Sequence, residues 1–246
     1  MKPEILRLEH IEKKFGNLTV LNDLSFTIQE GEIFGLVGPN GAGKSTIVNL
    51  ISCLIPPLKG DILFFEKSIC GLKPHQISQI GIGRTFQNPN SNSNITALES
   101  VLGGALFGRT GKKKTLKDSR KRSIDLLKEM GLGKKKNSKV ESLTVPERKK
   151  LEIAKALATD PILLILDEVL DGLNSTEIKE WIELVKKIRD SGITLMIIEH
   201  LIRVVAEVCD RIIVIDRGQK IIEGPPAMVL NDPKVLRVYL GKRFEG

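Results

Sequence analysis

The sequence contains few cysteines. The three that occur, Cys53, Cys70 and Cys209, are far apart in the chain and form no CxxC pair. An odd number of scattered thiols excludes a disulfide framework as the organising principle and gives no zinc-binding pattern. The cysteine content therefore predicts buried thiols in a reducing compartment.

Long apolar runs are also missing. No segment approaches the roughly 20 consecutive apolar residues that a membrane-spanning helix requires. Residues 1–10 carry charges where a signal peptide has an apolar core. These absences predict a soluble, cytoplasmic chain that reaches a membrane only through a partner. With 246 residues, 41% of them apolar, the chain can bury the core of one large α/β domain or of a domain with a subdomain.

Positive charge predominates and is unevenly distributed. The net charge is +8, and residues 109–122 contain a dense cluster of lysines and arginines, which residues 134–136 continue. A solvated loop and helix face explains such a cluster, and contact with anionic lipid headgroups is a second interpretation. Nucleic acid is not an expected partner, because no aromatic residues are interleaved with these charges.

Hydrophobic patterning predicts an α/β fold. Residues 4–28 alternate short apolar runs with turn residues, which indicates an antiparallel sheet. Apolar runs at 33–37, 163–166 and 194–198 are each followed by a polar or glycine-rich turn and then a helical pattern. This alternation is typical of a parallel sheet covered by helices.

A central region of the chain differs from this pattern. Residues 88–158 contain helical stretches near 97–106, 117–130 and 147–158, and they show no convincing strand. We therefore expect a helical subdomain inserted at 88–158. The α/β core is then formed by residues 1–87 and 159–246, with an antiparallel β-subdomain at its N-terminal end.

A glycine-rich segment lies between the first predicted buried strand and the helix that follows it. Its residues fit the pattern G-x-x-x-x-G-K-[ST] at every fixed position: Gly38, Pro39, Asn40, Gly41, Ala42, Gly43, Lys44, Ser45 and Thr46. Glycines let the backbone curl so that N–H groups point at phosphate oxygens, and the helix adds its positive end. Lys44 is expected to reach the β- and γ-phosphates of ATP, and Ser45 to bind Mg²⁺.

Two acidic residues follow the apolar run at 162–166. In phosphate-loop enzymes an aspartate at this strand end holds Mg²⁺ directly or through water, which predicts that role for Asp167. Glu168 is then placed to act as general base toward an attacking water. An Asp-Glu pair alone is a weak signal, since helix starts favour acids. The phosphate loop elsewhere in the same chain makes it a strong one.

The order of these motifs resembles that of the ATP-binding cassette (ABC) ATPase family, over nearly the whole chain. The resemblance implies a phosphate-loop NTPase fold and an enzyme that hydrolyses ATP. Phe15 stands where the family places an aromatic that stacks on adenine. Arg84-Thr85-Phe86-Gln87 resembles the glutamine loop, which implies that Gln87 contacts Mg²⁺ and senses a membrane partner. In Ile198-Glu199-His200, the resemblance implies that His200 contacts the γ-phosphate.

Segments at 151–158, 172–174 and 231–241 resemble one subgroup, the ATPase subunits of branched-chain amino-acid importers. In that subgroup two different ATPase subunits serve two polytopic membrane permease subunits, with a separate solute-binding protein. The chain would then lie on the inner face of the cell membrane. Lipopolysaccharide-export ATPases share parts of the segment at 231–241, so lipopolysaccharide export stays an alternative function. A soluble ABC ATPase without transport function is another, although ribosome-associated relatives usually carry two cassettes in one chain.

The chain departs from the family at the signature, which is usually Leu-Ser-Gly-Gly-Gln and here is Leu143-Thr144-Val145-Pro146-Glu147. In the family, the first amides of this helix face the γ-phosphate bound by the opposite subunit. Thr144 keeps a hydroxyl for that contact, whereas Val145 adds bulk and Pro146 has no N–H to donate. Because Thr144 and Glu147 can form a capping box, we expect a normal helix start with a weakened phosphate contact.

The altered signature bears on the expected second cassette subunit. A homodimer would place the altered segment over both nucleotides. A heterodimer with an ATPase that carries an intact signature would keep one full site, so an asymmetric heterodimer is the preferred prediction.

Overall fold

The computed structural model describes residues 2–86, 94–109 and 115–240. Their strands are β1 (Glu4–Phe15), β2 (Leu18–Gln29), β3 (Ile33–Val37), β4 (Lys59–Phe64), β5 (Lys67–Ser68), β6 (Ile82–Arg84), β7 (Leu163–Asp167), β8 (Thr194–Glu199), β9 (Arg211–Asp216) and β10 (Gln219–Gly224). Their α-helices are α1 (Lys44–Ile51), α2 (Pro74–Ile80), α3 (Ala97–Phe107), α4 (Leu116–Glu129), α5 (Val145–Ala158), α6 (Ser175–Asp190), α7 (Ile202–Ala206), α8 (Pro226–Leu230) and α9 (Pro233–Leu240). Short 3₁₀ helices lie at Gly133–Lys135 and Val140–Ser142.

The chain forms two compact units. Unit 1 comprises Met1–Pro74 and Ile182–Gly246, and unit 2 comprises His75–Trp181. The helical stretches predicted near 97–106, 117–130 and 147–158 are confirmed as α3, α4 and α5, all in unit 2. The limits 88–158 of an inserted subdomain stay a prediction.

Unit 1 contains the antiparallel sheet predicted from residues 4–28. Its strand order is β2-β1-β4-β5, and β1 and β2 form a hairpin that turns at Gly16. Apolar side chains such as Leu6, Leu8, Phe26 and Ile28 are buried. Their burial gives this sheet one apolar face, the pattern of an antiparallel sheet that covers a core on one side.

Unit 1 also contains strands of a mixed sheet, in the order β10-β9-β3-β8. Strand β3 runs parallel to both β8 and β9, and β10 runs antiparallel to β9. Every residue of β3 is buried, as expected for a strand with parallel neighbours on both sides. The last residue of β3, Val37, pairs with Glu199 of β8 and Val214 of β9. Residues that follow β3 and β8 therefore leave the same end of the sheet.

Unit 2 combines helices with the parallel pair β6 and β7, in which Arg84 pairs with Ile165. Helices α3 and α5 approach closely at Gly104, where a Cβ atom would lie 2.6 Å from the backbone oxygen of Lys155. Only glycine fits at this distance, so Gly104 sets the spacing of the two helices. Thr96 begins α3 with a reciprocal capping box to Glu99, which satisfies two backbone N–H groups.

The structure can be compared with the predictions made from the lack of long apolar runs and from the few cysteines. No helix in the described part of the chain combines the length and apolar character that crossing a bilayer requires. Cys209 is buried as predicted, and Cys53 is partly buried, which raises the pKa of its thiol to about 11. The prediction of burial is wrong for Cys70, which is exposed because it lies in the turn between β5 and α2.

Candidate active site

The glycine-rich segment at 38–46 connects β3 to α1, as predicted, and its backbone requires glycine. A Cβ atom on Gly38 would lie 2.3 Å from the backbone oxygen of Ile215, a distance that no side chain tolerates. Gly41 and Gly43 adopt left-handed conformations with φ of 81° and 107°, and Gly43 immediately precedes α1. The loop therefore has the tight curl that turns backbone N–H groups toward a bound anion.

Lys44 is buried although it is charged. Its Nζ atom donates hydrogen bonds to the backbone oxygens of Gly38 at 2.8 Å and Pro39 at 3.2 Å. These bonds offset the cost of removing an ammonium group from water, and they hold the positive charge against the loop itself. Ser45 lies beside it at the start of α1 with an exposed side chain, so its hydroxyl is accessible to a ligand.

A backbone hydrogen bond connects the phosphate loop to the turn between β9 and β10. Gly218 in that turn donates its N–H to the backbone oxygen of Ala42 at 3.0 Å and accepts from the N–H of Asn22 at 3.0 Å. A Cβ atom on Gly218 would lie 2.1 Å from the backbone oxygen of Val20, so glycine is required here too. The phosphate loop is thus held by segments far from it in the sequence.

His200 follows β8 and therefore leaves the sheet at the same end as the phosphate loop, within unit 1. Its side chain is 40% exposed, and its Nδ1 atom lies 3.9 Å from the carboxylate of the fully buried Glu199. This distance is too long for a hydrogen bond, although a protonated imidazole would still be attracted. The imidazole is accessible to a ligand, as the predicted γ-phosphate contact requires.

Phe15 is the last residue of β1, and its ring is half exposed. The Nζ atom of Lys13 lies 5.3 Å from the centroid of this ring, within the range of a cation–π contact. An exposed ring at a strand end can stack on a planar ligand such as adenine.

Asp167 lies at the end of β7 in unit 2 and is almost completely buried. Its carboxylate Oδ2 accepts a hydrogen bond from Nη2 of Arg84 at 2.9 Å. Its backbone N–H donates to the hydroxyl oxygen of Thr85 at 3.0 Å. Residues 84 and 85 thus fix both the carboxylate and the backbone of Asp167.

Glu168, the predicted general base, has an unusual backbone conformation with φ of 48°. A positive φ on a residue other than glycine costs roughly 1 kcal/mol. Residues such as Asp160 and Arg217 share this conformation, so it does not by itself mark a functional site. The following segment is held from α5, because Nζ of Lys149 donates to the backbone oxygen of Val169 at 3.0 Å and also to that of Asp171. Lys149 thereby joins the helix that begins at the altered signature to the segment after Glu168.

The altered signature forms the start of α5 in the way the sequence predicts. Thr144 is the N-cap and makes a capping box with Glu147, and Pro146 lies in the first turn. A hydrogen bond from Lys135 and another from the Thr144 amide lower the pKa of Glu147. Val145 is exposed, so its added bulk faces outward from unit 2, where the family's glycine would leave space.

Oxygen donors suited to Mg²⁺ are present in both units. The hydroxyl of Ser45 and the carboxylate of Asp167 are ligands of the kind that Mg²⁺ prefers. Gln87, the third predicted metal ligand, lies outside the described residues.

Sequence reasoning assigned no role to Arg84 or Lys149. The position of Arg84 at the end of a strand before the glutamine loop could have drawn attention to it, whereas no sequence signal pointed to Lys149.

Comparison with known proteins gives two family matches. Residues 21–171 match the model described as ABC transporter, and residues 219–245 match the one described as branched-chain amino acid ATP-binding cassette transporter. The chain is 33% identical to the high-affinity branched-chain amino acid transport ATP-binding protein LivG of Salmonella typhimurium, covering 98% of this chain and 100% of the relative. It is also 31% identical to the lipopolysaccharide export system ATP-binding protein LptB of Acidithiobacillus ferridurans, covering 98% and 99%.

Solved structures agree with these matches. A nucleotide-free ATP-binding cassette from an ABC transporter superposes with a TM-score of 0.88 at 31% identity, covering 98% of this chain and 100% of that chain. A second cassette, a dimer in a post-hydrolysis state bound to ADP and Pi, has a TM-score of 0.81 at 29% identity, covering 90% and 99%.

The contact from Lys149 can be tested by hydrogen exchange. Replacing Lys149 with Met removes the charged donor to Val169 and Asp171, so amides in the segment after Glu168 should exchange faster. We expect acceleration of about tenfold or more, because the loss of even one charge-assisted hydrogen bond corresponds to a factor of about ten. The control is Lys150→Met on the same helix, which removes an ion pair with Glu180 and should leave this segment unchanged. Equal exchange in both variants would contradict a specific role for Lys149.

Proposed function

Because this chain belongs to the ABC transporter family of ATP-hydrolysing subunits, we propose that it powers the import of branched-chain or related amino acids. The observation that carries this proposal is the match of residues 219–245 to the branched-chain amino acid cassette model. Similarity to LivG over the whole chain supports it as well. Lipopolysaccharide export is the second candidate, because the similarity to LptB extends over 98% of this chain.

In the proposed mechanism, unit 1 binds the nucleotide. Phe15 stacks on adenine, and the N–H groups of the loop at 38–46 surround the β- and γ-phosphates. Lys44 exchanges its bonds to the loop carbonyls for bonds to phosphate oxygens. His200, which leaves the same end of the sheet, contacts the γ-phosphate.

The acidic groups proposed for hydrolysis, Asp167 and Glu168, belong to unit 2. Asp167 and Ser45 would hold Mg²⁺, with Gln87 as a further ligand, and the ion when bound would neutralise charge on the phosphates. Glu168 accepts a proton from the water that attacks the γ-phosphate. Thr144, at the start of α5, contacts the nucleotide held by the second cassette. Hydrolysis then reopens the two cassettes.

The partners follow from the proposed transport role. ABC cassettes work as dimers with membrane permease subunits, and a structurally similar cassette is dimeric. We propose that this chain pairs with a second cassette and lies on the cytoplasmic face of the membrane through two polytopic permease subunits. A separate solute-binding protein delivers the amino acid, and the segment around Gln87 transmits the state of the permease.

Reconstitution separates the two candidate functions. In proteoliposomes that contain this chain, its second cassette and the permease subunits, binding protein loaded with leucine, isoleucine or valine should stimulate ATP hydrolysis. Empty binding protein is the control. Stimulation by lipopolysaccharide, with none by amino acids, would contradict import and favour the export function.

The role of Glu168 predicts an enzyme that binds ATP without hydrolysing it efficiently. Glu168→Gln preserves the shape of the side chain and removes its basicity, so turnover should fall by about 100-fold or more. ATP should accumulate in a closed dimer, which size-exclusion chromatography with radiolabelled ATP detects.

Two further variants make this test specific. Lys44→Ala should lose ATP binding itself, because it removes the charge that faces the phosphates. Glu183→Gln is the matched control, since Glu183 is an exposed residue of α6 that forms an ion pair with Lys186 of the same helix. Turnover by Glu168→Gln at the rate of the Glu183 variant would exclude Glu168 as general base.

The altered signature predicts unequal sites in a heterodimer. ATP held by Lys44 and Glu168 of this chain would face an intact partner signature, whereas ATP held by the partner would face Thr144, Val145 and Pro146. Loss of one preorganised donor costs about 3 kcal/mol in well-studied enzymes, or roughly 100-fold in rate. The chain alone should therefore hydrolyse ATP slowly. In the complex, replacing Glu168 should be more damaging than replacing the equivalent acid of the partner, and equal damage would show that the altered signature has no effect.

A further inference from the structure

Arg84 and Asp167 form an ion pair that is almost excluded from water. The Arg84 side chain is 12% exposed, the Asp167 side chain is 1% exposed, and Nη2 lies 2.9 Å from Oδ2. A pair of this kind is weak evidence for stability, because removing both charges from water costs about as much as their attraction returns. An explanation for the pair is therefore needed beyond the energy of folding.

The C-terminal end of β6 and the residue after it hold Asp167 at two points. Thr85, the residue after Arg84, accepts a hydrogen bond from the Asp167 N–H at 3.0 Å and donates its own N–H to the oxygen of Ile165 at 3.0 Å. The backbone of Asp167 is thus fixed by Thr85, and its carboxylate by Arg84. An aspartate whose backbone and carboxylate are both hydrogen-bonded can adopt few side-chain orientations.

Arg84 is itself held from a second side. The carbon at the centre of its guanidinium lies 5.3 Å from the centroid of the Phe86 ring, which is a cation–π distance. The planar guanidinium therefore contacts an aromatic ring and donates to a carboxylate, a combination that lysine reproduces poorly. These contacts restrict the side-chain conformation of Arg84, and Arg84 in turn restricts the orientation of the Asp167 carboxylate.

We propose that Arg84 is a positioning residue for the metal-binding carboxylate. By engaging Oδ2, it restricts the rotation of the carboxylate that would hold Mg²⁺ directly or through water. This inference rests on the proposed function, in which Asp167 is a ligand of Mg²⁺. Partners that orient ligating carboxylates typically change metal affinity 10- to 100-fold when they are removed.

An orienting role and simple electrostatics predict opposite changes in Mg²⁺ affinity for the variant Arg84→Gln. Arg84→Gln removes a positive charge beside the metal site, and on charge alone Mg²⁺ would bind more tightly. If Arg84 acts by orienting Asp167, the freed carboxylate binds the ion more weakly despite the gain in negative charge. A purely structural role would lower the melting temperature and leave metal affinity unchanged.

Binding of Mn²⁺ in the presence of a non-hydrolysable ATP analogue tests the inference without relying on activity. Electron paramagnetic resonance titration of Mn²⁺ should show affinity about tenfold weaker for Arg84→Gln than for the wild type. Arg84→Lys, which keeps the charge but not the planar fork, should give an intermediate value. In EDTA, all variants should bind a fluorescent ATP analogue equally, which establishes that the phosphate loop is folded.

The matched control is Arg122→Gln in the same unit. Arg122 is half exposed, and its nearest carboxylate, on Glu129, lies 3.9 Å away, so Mn²⁺ affinity should equal that of the wild type. Unchanged or tighter Mn²⁺ binding by Arg84→Gln would overturn the positioning role of Arg84 and would leave the proposed function unaffected. Failure of the wild-type chain to bind Mn²⁺ with the nucleotide would overturn the proposed function and this inference with it.

Discussion

The parallel pairing of β3 with β8 and β9 is the constraint on which the nucleotide-binding part of unit 1 depends. Because Val37 is in register with Glu199, the phosphate loop and His200 leave the sheet together. The complete burial of β3 makes a slip of the register costly, since buried apolar residues would be replaced by the glycines that follow. A chemical group at the end of β8 is thus placed by the hydrophobic core.

Motifs with strict local geometry could be predicted from the sequence. The loop at 38–46, the strand before Asp167 and the capping box of Thr144 and Glu147 each depend on residues close together in the chain. The contact of Arg84 with Asp167 could not be predicted, because it joins residues 83 positions apart. The contact of Lys149 with Val169 and Asp171 depends on the conformation of a long flexible side chain, and the positive φ of Glu168 has no residue signal.

The start of α5 shows that folding and nucleotide contact place separate demands on the same residues. Thr144 and Glu147 satisfy the N-terminal amides of the helix, and Pro146 is acceptable in its first turn, so the local structure is well specified. None of these features requires the small residues that let a phosphate approach. A sequence can therefore lose the family's signature glycines at 145 and 146 and still retain the helix.

The hydrogen bonds of Gly218 affect the order of events during synthesis of the protein. The ribosome makes the glycine-lysine loop early, but the strands β8 and β9 and the turn that holds Ala42 are among the last segments to emerge. A nascent chain therefore carries the nucleotide-binding motif long before it carries the support for that motif. A prematurely terminated product that ends before residue 218 would contain the motif but lack the hydrogen bond that supports it at Ala42.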